Sequence, residues 1–497
     1  MSQLKKGAIL SYITIFLTNI VGLVLTPFII RSLGNSEYGL YTLIGALVAQ
    51  ISILNLGLNN TVIRYVAKYR AEKKKEEESN FLGSIMLIYV GISILVLLIG
   101  AMLYLNINSI FKSSLTIQEI EGAKPMLILL ICNLAITLPG GTFEAICNAY
   151  ERFVFPRFLN IIKYISRALL IVVVLAQYQY AITIIWIDTL LNLAIVGTTI
   201  FYVFNVLKVK FKLDKLDLGL IKDIFSYSIW IFLFAIAYRL QWYSGQTILG
   251  ITTDTITVAI FGVGVMLGGY YGAFAGAINT VLLPKATKMS VSNDDPKLYT
   301  QEMIKIGRIN VLILYMILGG FILFGISFIK LWVGKTYQDA WFIAVLIMIS
   351  MTLPLVQAFG NSILEAKKKN RFKSILSLIT LTISVALGFF LSKKYGMYGM
   401  IIPLVIAMFI NSIITTWYYR KVFGLNIYQF FKEVFVMPTL LLAILLIIGS
   451  FILQNFQLDS WLLLSCGVVL FVLIYLALSY FFVLDKSTKA IIFRLKS

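Results

Sequence analysis

The chain has 497 residues, 60% of them hydrophobic and only 13% charged, with a net charge of +20. Soluble domains carry about 25% charged residues, so a water-soluble globule is excluded, and the positive balance reads as loop charge that fixes membrane orientation rather than as a nucleic-acid surface. Histidine is absent, which excludes a His-ligated metal site and a Ser-His-Asp triad.

A bilayer core of about 30 Å needs about 20 helical residues to cross it. Runs of that kind occur at 8–31, 37–58, 81–104, 123–149, 157–177, 181–205, 225–248, 256–284, 307–331, 339–364, 374–392, 397–419, 434–454 and 461–484. The first follows Lys5 and Lys6 and reads as a signal-anchor, because it is long and no A-x-A site follows. Cys132 and Cys147 share the fourth run, roughly 22 Å apart along a helix and too far for a disulfide. With Cys466 in the last run, they read as buried structural thiols. The longest outer loop, about 105–122, is too small to fold alone. An even number of spans puts both termini on one side.

The charges test that topology. Of 42 Lys and Arg, seven fall on one face (Arg31, Lys112, Lys124, Lys330, Lys335, Lys393 and Lys394) and two, Arg167 and Arg239, lie within spans. The remaining 33 fall on the face shared by the termini, counting Lys163 as a snorkelling residue at a helix end. By the positive-inside rule that face is cytoplasmic. Its basic runs, such as Arg64 to Lys75 and Lys367 to Lys373, read first as solvated topogenic charge and second as attraction for anionic membrane lipids.

An internal repeat is visible. LPGGTFEAICNAYERFVFPRF from Leu138 and LPLVQAFGNSILEAKKKNRFKS from Leu353 each place Leu-Pro in a span, then a small-residue exit, then a basic turn. The offset, 215 to 217 residues, corresponds to six spans. The expected fold is all-α and polytopic, with about 14 transmembrane helices: two six-helix bundles (1–206 and 207–421) around a central cavity, plus two appended helices and a cytoplasmic tail (422–497).

Charge inside a bilayer costs from about 3 to over 10 kcal/mol, so each intramembrane ion is a candidate. Arg167 and Asp188 sit at similar depth on one helical hairpin. They are read as a salt bridge ahead of a substrate contact, with Asp188 and Glu144 as the ion-coupling or structural-pair candidates. Arg239 lies mid-span in AYRLQWYSG with no acid in the same run. A planar, permanently charged fork there suits a phosphate; the competing reading is a buried pair with Asp188 or Glu144. Arg31, beside Glu37 at an outer helix end, and Arg64, at an inner end, are the remaining candidates for a basic substrate path. Glycines 262, 264, 268, 269, 272 and 276 crowd the eighth run, which allows close helix packing and, equally, sliding. No Walker A loop and no G-x-S-x-G elbow is present, so no enzyme activity and no cofactor are expected.

The N-terminal region reads TPFIIRSLGNSEYGLYTLIGAL and then LGLNNTVIRYVAKYRAE. Arg31, Leu33-Gly34, Tyr38-Gly39, Tyr41, Gly57-Leu58, Arg64-Tyr65, Ala67, Tyr69, Arg70 and Ala71 resemble the signature of bacterial polysaccharide-synthesis membrane proteins, the O-antigen-type lipid-linked oligosaccharide flippases of the multidrug/oligosaccharidyl-lipid/polysaccharide exporter superfamily. The likeness is strongest over residues 5–80. One departure is Gly245 in GQTILG, where many relatives carry an acid. The resemblance implies alternating access for a polyprenyl-diphosphate-linked oligosaccharide, moved from the inner to the outer leaflet of the bacterial cytoplasmic membrane for surface polysaccharide assembly. It names polysaccharide polymerase and glycosyltransferases as candidate protein partners, with membrane lipids around the chain and no nucleic acid. Two competing readings are a cation-coupled multidrug antiporter, which wants an acidic or aromatic cavity, and a non-transporting scaffold of a glycan-synthesis complex.

Overall fold

The structure, a computed structural model, describes residues 3–55, 57–213, 218–279, 282–292, 295–454, 456 and 458–483. Lipid offers no hydrogen-bond partner to an open strand edge, so a chain this apolar is left with helices, and helix is the only regular element among the described residues. In chain order these are α1 (Gln3–Leu33), α2 (Asn35–Ile51), α3 (Leu58–Ala71), α4 (Lys75–Phe111), α5 (Ile117–Ala149), α6 (Val154–Leu175), α7 (Ala181–Phe201), α8 (Leu218–Thr252) and α9 (Thr255–Asn279). There follow α10 (Leu282–Ser292), α11 (Pro296–Trp332), α12 (Ala340–Val356), α13 (Ala358–Ala366), α14 (Arg371–Phe423), α15 (Ile427–Phe431), α16 (Met437–Leu453) and α17 (Trp461–Phe482).

Twelve helical stretches among the described residues are long and apolar enough to cross a membrane. The protein is an all-α, multi-pass membrane protein. The sequence expectation was about fourteen spans; α8, a helix of 35 residues over the expected seventh span, lies outside these twelve. One of the twelve, α14, is a hairpin. Gly396 adopts φ 53 and ψ −135, and a Cβ on Gly399 would lie 2.3 Å from the Leu391 carbonyl oxygen, across a separation a straight helix holds at about 12 Å. The runs 374–392 and 397–419 are its two limbs.

The chain packs as two compact units, Met1–Ala259 with Phe389–Met400, and Ile260–Gly388 with Ile401–Ser497. In the first, α4 and α5 run antiparallel, joined where Ser93 Oγ donates to the Ala135 carbonyl at 2.7 Å. The Asn133 amide donates to Thr189 at 3.0 Å, tying α5 to α7, and Gln50 Nε2 donates to Thr247 at 2.5 Å, tying α2 to α8. Leu43, Ile44, Val62, Ile85 and Val96 have no exposed surface and form its core. In the second unit, glycines 264, 268 and 272 on α9 face Ile343, Ile347 and Met351 on α12, where a Cβ would come within 2.6, 2.5 and 2.8 Å of those side chains. The appended helices dock on α11: Arg308 donates to the Glu433 carboxylate at 2.7 Å, and Tyr475 Oη to the Leu312 carbonyl at 3.1 Å.

Three local features depart from the sequence reading. The segment after residue 58, read as a basic loop, is the helix α3; it buries Leu58, Thr61, Val62 and Val66 at helical spacing. The run 339–364 is two helices, broken at Gln357 three residues after Pro354. Only Cys147 is buried; Cys132 and Cys466 lie on exposed helix faces, where the apolar surroundings are those of lipid.

Three helix ends share one cap geometry. After α5, the Arg152 amide reaches back to the Cys147 carbonyl at 2.8 Å around Glu151, whose φ is 57. After α13, the Lys369 amide reaches the Leu364 carbonyl at 2.8 Å around Lys368, whose φ is 55. Both are six-to-one caps, and α3 ends in the same way, the Lys74 amide reaching the Tyr69 carbonyl at 2.9 Å around Lys73, whose φ is 58.

Candidate functional site

All six candidate residues lie in the first unit. Arg167 on α6 and Asp188 on α7 come together: Nε and Nη2 reach the two carboxylate oxygens at 2.5 and 3.0 Å. The same Nη2 donates to Tyr41 Oη on α2 at 3.4 Å. Two parallel N–H···O bonds make this a bidentate pair, the stronger arrangement for a guanidinium. Lys163 lies one turn before Arg167 on α6. The Arg167–Asp188 pair is charge-balanced and supplies no net attraction for an anion.

The sequence reading did not count Tyr41 or Lys163 among the site candidates. The signal for Lys163 was its i,i+4 spacing from Arg167, which places both on one face of α6. Tyr41 stood out only as part of the family signature, with nothing to show that its hydroxyl meets Arg167. A second polar group lies on α7: Asn192 donates to Asn133 Oδ1 at 3.1 Å, so Asn133 links two α7 side chains.

Arg31, Arg64 and Arg239 stand on separate helices, α1, α3 and α8. Arg31 and Arg64 are exposed. Glu37, the sequence neighbour of Arg31, accepts the Ala181 backbone amide at 3.0 Å and so caps the start of α7. Arg239 is half-buried, with its guanidinium carbon 5.2 Å from the centre of the Tyr243 ring one turn on. The rings of Tyr238 and Trp242 lie 6.1 Å apart beside it. Among the described residues no carboxylate forms an ion pair with Arg239. A guanidinium keeps its charge at any working pH and presents five donors in a planar fork, so Arg239 is equipped to receive an anion.

A profile of the family described as "Polysaccharide biosynthesis protein" matches residues 4–290, more than half of the chain. The chain belongs to this family. Its curated relatives include a putative O-antigen transporter of Shigella flexneri, 22% identical over 412 residues and covering 79% of this chain and 92% of the relative. Another is the uncharacterized membrane protein EpsK of Bacillus subtilis (strain 168), 22% identical over 440 residues and covering 82% of each. Among solved structures, the lipid II flippase MurJ in an inward closed conformation superposes with a TM-score of 0.71 at 17% identity, over 95% of this chain and 98% of that one. An inward-facing multidrug resistance transporter of the MATE family gives 0.63 at 13% identity, over 87% and 99%. The fold is that of these transporters.

Several signature residues of this family member are structural. A Cβ on Gly39 would sit 1.9 Å from the Thr255 carbonyl oxygen, so no side chain fits there. Arg70 donates to the Ala149 carbonyl at 2.9 Å and lies 3.8 Å above the Tyr150 ring. The Tyr150 hydroxyl donates to Glu78 at 2.7 Å, and burial together with that carboxylate pushes the phenol pKa up. Arg70 thus clasps the end of α3 to the end of α5.

Proposed function

We propose that this protein carries a polyprenyl-diphosphate-linked oligosaccharide from the inner to the outer leaflet of the bacterial cytoplasmic membrane, by alternating access, for assembly of a cell-surface polysaccharide. A diphosphate sugar head cannot cross hydrocarbon without its charge being met, and arginine meets phosphate with two hydrogen bonds at once. The observation that carries the reading is Arg239, half-buried in α8 with no carboxylate partner among the described residues, on a chain of the polysaccharide biosynthesis family. The Arg167–Asp188 pair is charge-balanced and is assigned to holding α6 and α7 together. Both termini are taken as cytoplasmic, on the strongly basic face.

The test is Arg239→Ala in a cell whose surface polysaccharide depends on this protein. Glycan output is expected to fall at least tenfold, while membrane abundance and thermal stability stay at wild-type levels. Arg239→Lys, which keeps charge but loses the fork, is expected to give an intermediate output. Undiminished glycan from the alanine variant would remove the arginine from the path.

A further inference from the structure

The ends of α4 and α5 hold a pocket that the transport reading does not use. The two helices are antiparallel and in close contact at Gly100, where a Cβ would lie 2.5 Å from the Ile131 side chain. From that contact α4 continues about 12 Å to Asn108, while α5 starts at Ile117 on the far side of a short turn. Between these ends lies a pocket of about 490 Å³ lined by Asn108, Ser109, Lys112, Ile117, Glu121 and Lys124 among others. Among the described residues neither Lys112 nor Lys124 has an ion-pair partner, and Glu121 pairs with neither. The rim just below is apolar and faces outward: Met102 is 66% and Leu105 77% exposed, and Ile117, itself part of the lining, 77%. Lys124 directly precedes the apolar run of α5, so the pocket lies where hydrocarbon gives way to headgroups.

We infer that this pocket binds the phosphate headgroup of an anionic lipid in the leaflet at the α4–α5 turn. Two ammonium groups and the Asn108 and Ser109 side chains supply donors for phosphate oxygens. The exposed Met102, Leu105 and Ile117 give the acyl chains a surface to follow. A free anion would make no use of that apolar rim, and an acyl chain without an anionic head would make no use of the lysines. Lysines near a membrane surface attract anionic lipid individually; here a cup brings two of them to one place. The inference requires only that α4 and α5 span the bilayer and does not depend on what the protein transports.

The experiment uses the full chain in nanodiscs or detergent, with phosphatidylglycerol as probe and phosphatidylcholine as reference, read by native mass spectrometry. Lys112→Gln with Lys124→Gln is expected to weaken phosphatidylglycerol retention on the order of tenfold. Lys112→Arg with Lys124→Arg is expected to retain it. Lys330→Gln with Lys335→Gln removes the same charge elsewhere and is expected to leave retention unchanged. Equal loss from both glutamine pairs, or wild-type retention in the first, would overturn the assignment. Displacement of the lipid by millimolar inorganic phosphate, but not by chloride at matched ionic strength, would make the site one for a free anion and would also overturn it. A glutamine variant whose melting temperature matches wild type excludes misfolding as the cause.

Discussion

Arg167 and Asp188 show how a residue's surroundings change its reading. Alone in a span, either would be a candidate for substrate; as a bidentate pair joined to Tyr41 they tie three helices together. Removing one partner leaves a lone charge, at a cost of about 3 kcal/mol. Arg167→Ala and Asp188→Ala are each expected to lower the melting temperature of the purified protein, and the double variant by less than their sum; strict additivity would mean that the pair is not coupled. Arg70 is expected to behave differently, because its partners are a carbonyl and a ring. Arg70→Ala should cost about 2 kcal/mol with a lower membrane yield, and Arg70→Lys should recover only part of it. Glu119 is a node of the same kind with more bonds. It accepts from Thr116 at the start of α5, from Ser36 at 2.6 Å and from Thr255 at 2.7 Å. Glu119→Ala removes a helix cap and two tertiary bonds, so a loss of about 2–3 kcal/mol is expected in a thermal-shift measurement.

At the scale of elements, hydropathy revealed most of the helices and concealed how they end. The break at Gln357 had its sign in Pro354, which lacks the amide a continuous helix would use there, yet the apolar run on both sides made 339–364 look uniform. The helix α3 was hidden for the opposite reason: Arg64, Lys68 and Arg70 are dense enough to suggest a loop, while Leu58, Val62 and Val66 kept a stripe at spacing four. Of the candidate site, the Arg167–Asp188 hairpin was legible from depth alone. The contact of Tyr41 was not, because its place in the family signature says nothing of where its hydroxyl points. Packing at the α9–α12 seam allows a sharper test. Gly268→Leu must force Ile347 away from a position where a Cβ already comes within 2.5 Å. It is expected to cost about 2 kcal/mol, whereas Gly276→Ala, with nothing within 4 Å, should be silent in the same thermal assay.

For the whole molecule, the assignment of loops to the two faces of the membrane is a property that chemistry can check directly. The turns at Lys73, Glu151 and Lys368 all place a non-glycine residue at positive φ, in the segments assigned to the cytoplasmic face. Single cysteines at Lys73 and Lys368, in a background without the three native ones, are expected to react with a membrane-impermeant maleimide only in inside-out vesicles. Cysteines at Lys112 and Lys335 are expected to react only in intact cells. A reversed pattern at either pair would break the alternation on which the assignment of faces rests.

The α9–α12 seam is periodic on both sides, with glycines and their opposing side chains each four residues apart. A slip of four residues, about 6 Å along the helix, would bring Gly264 opposite Ile347 and Gly268 opposite Met351, restoring the same kind of fit. Steric matching alone therefore leaves the two helices more than one stopping point, like teeth on a rack. The observed one also brings the hydroxyls of Tyr271 and Thr352 to 2.6 Å, both side chains being buried. Tyr271→Phe would remove that bond while barely changing the packed volume, and an altered exchange of α9 amides with deuterium would report it.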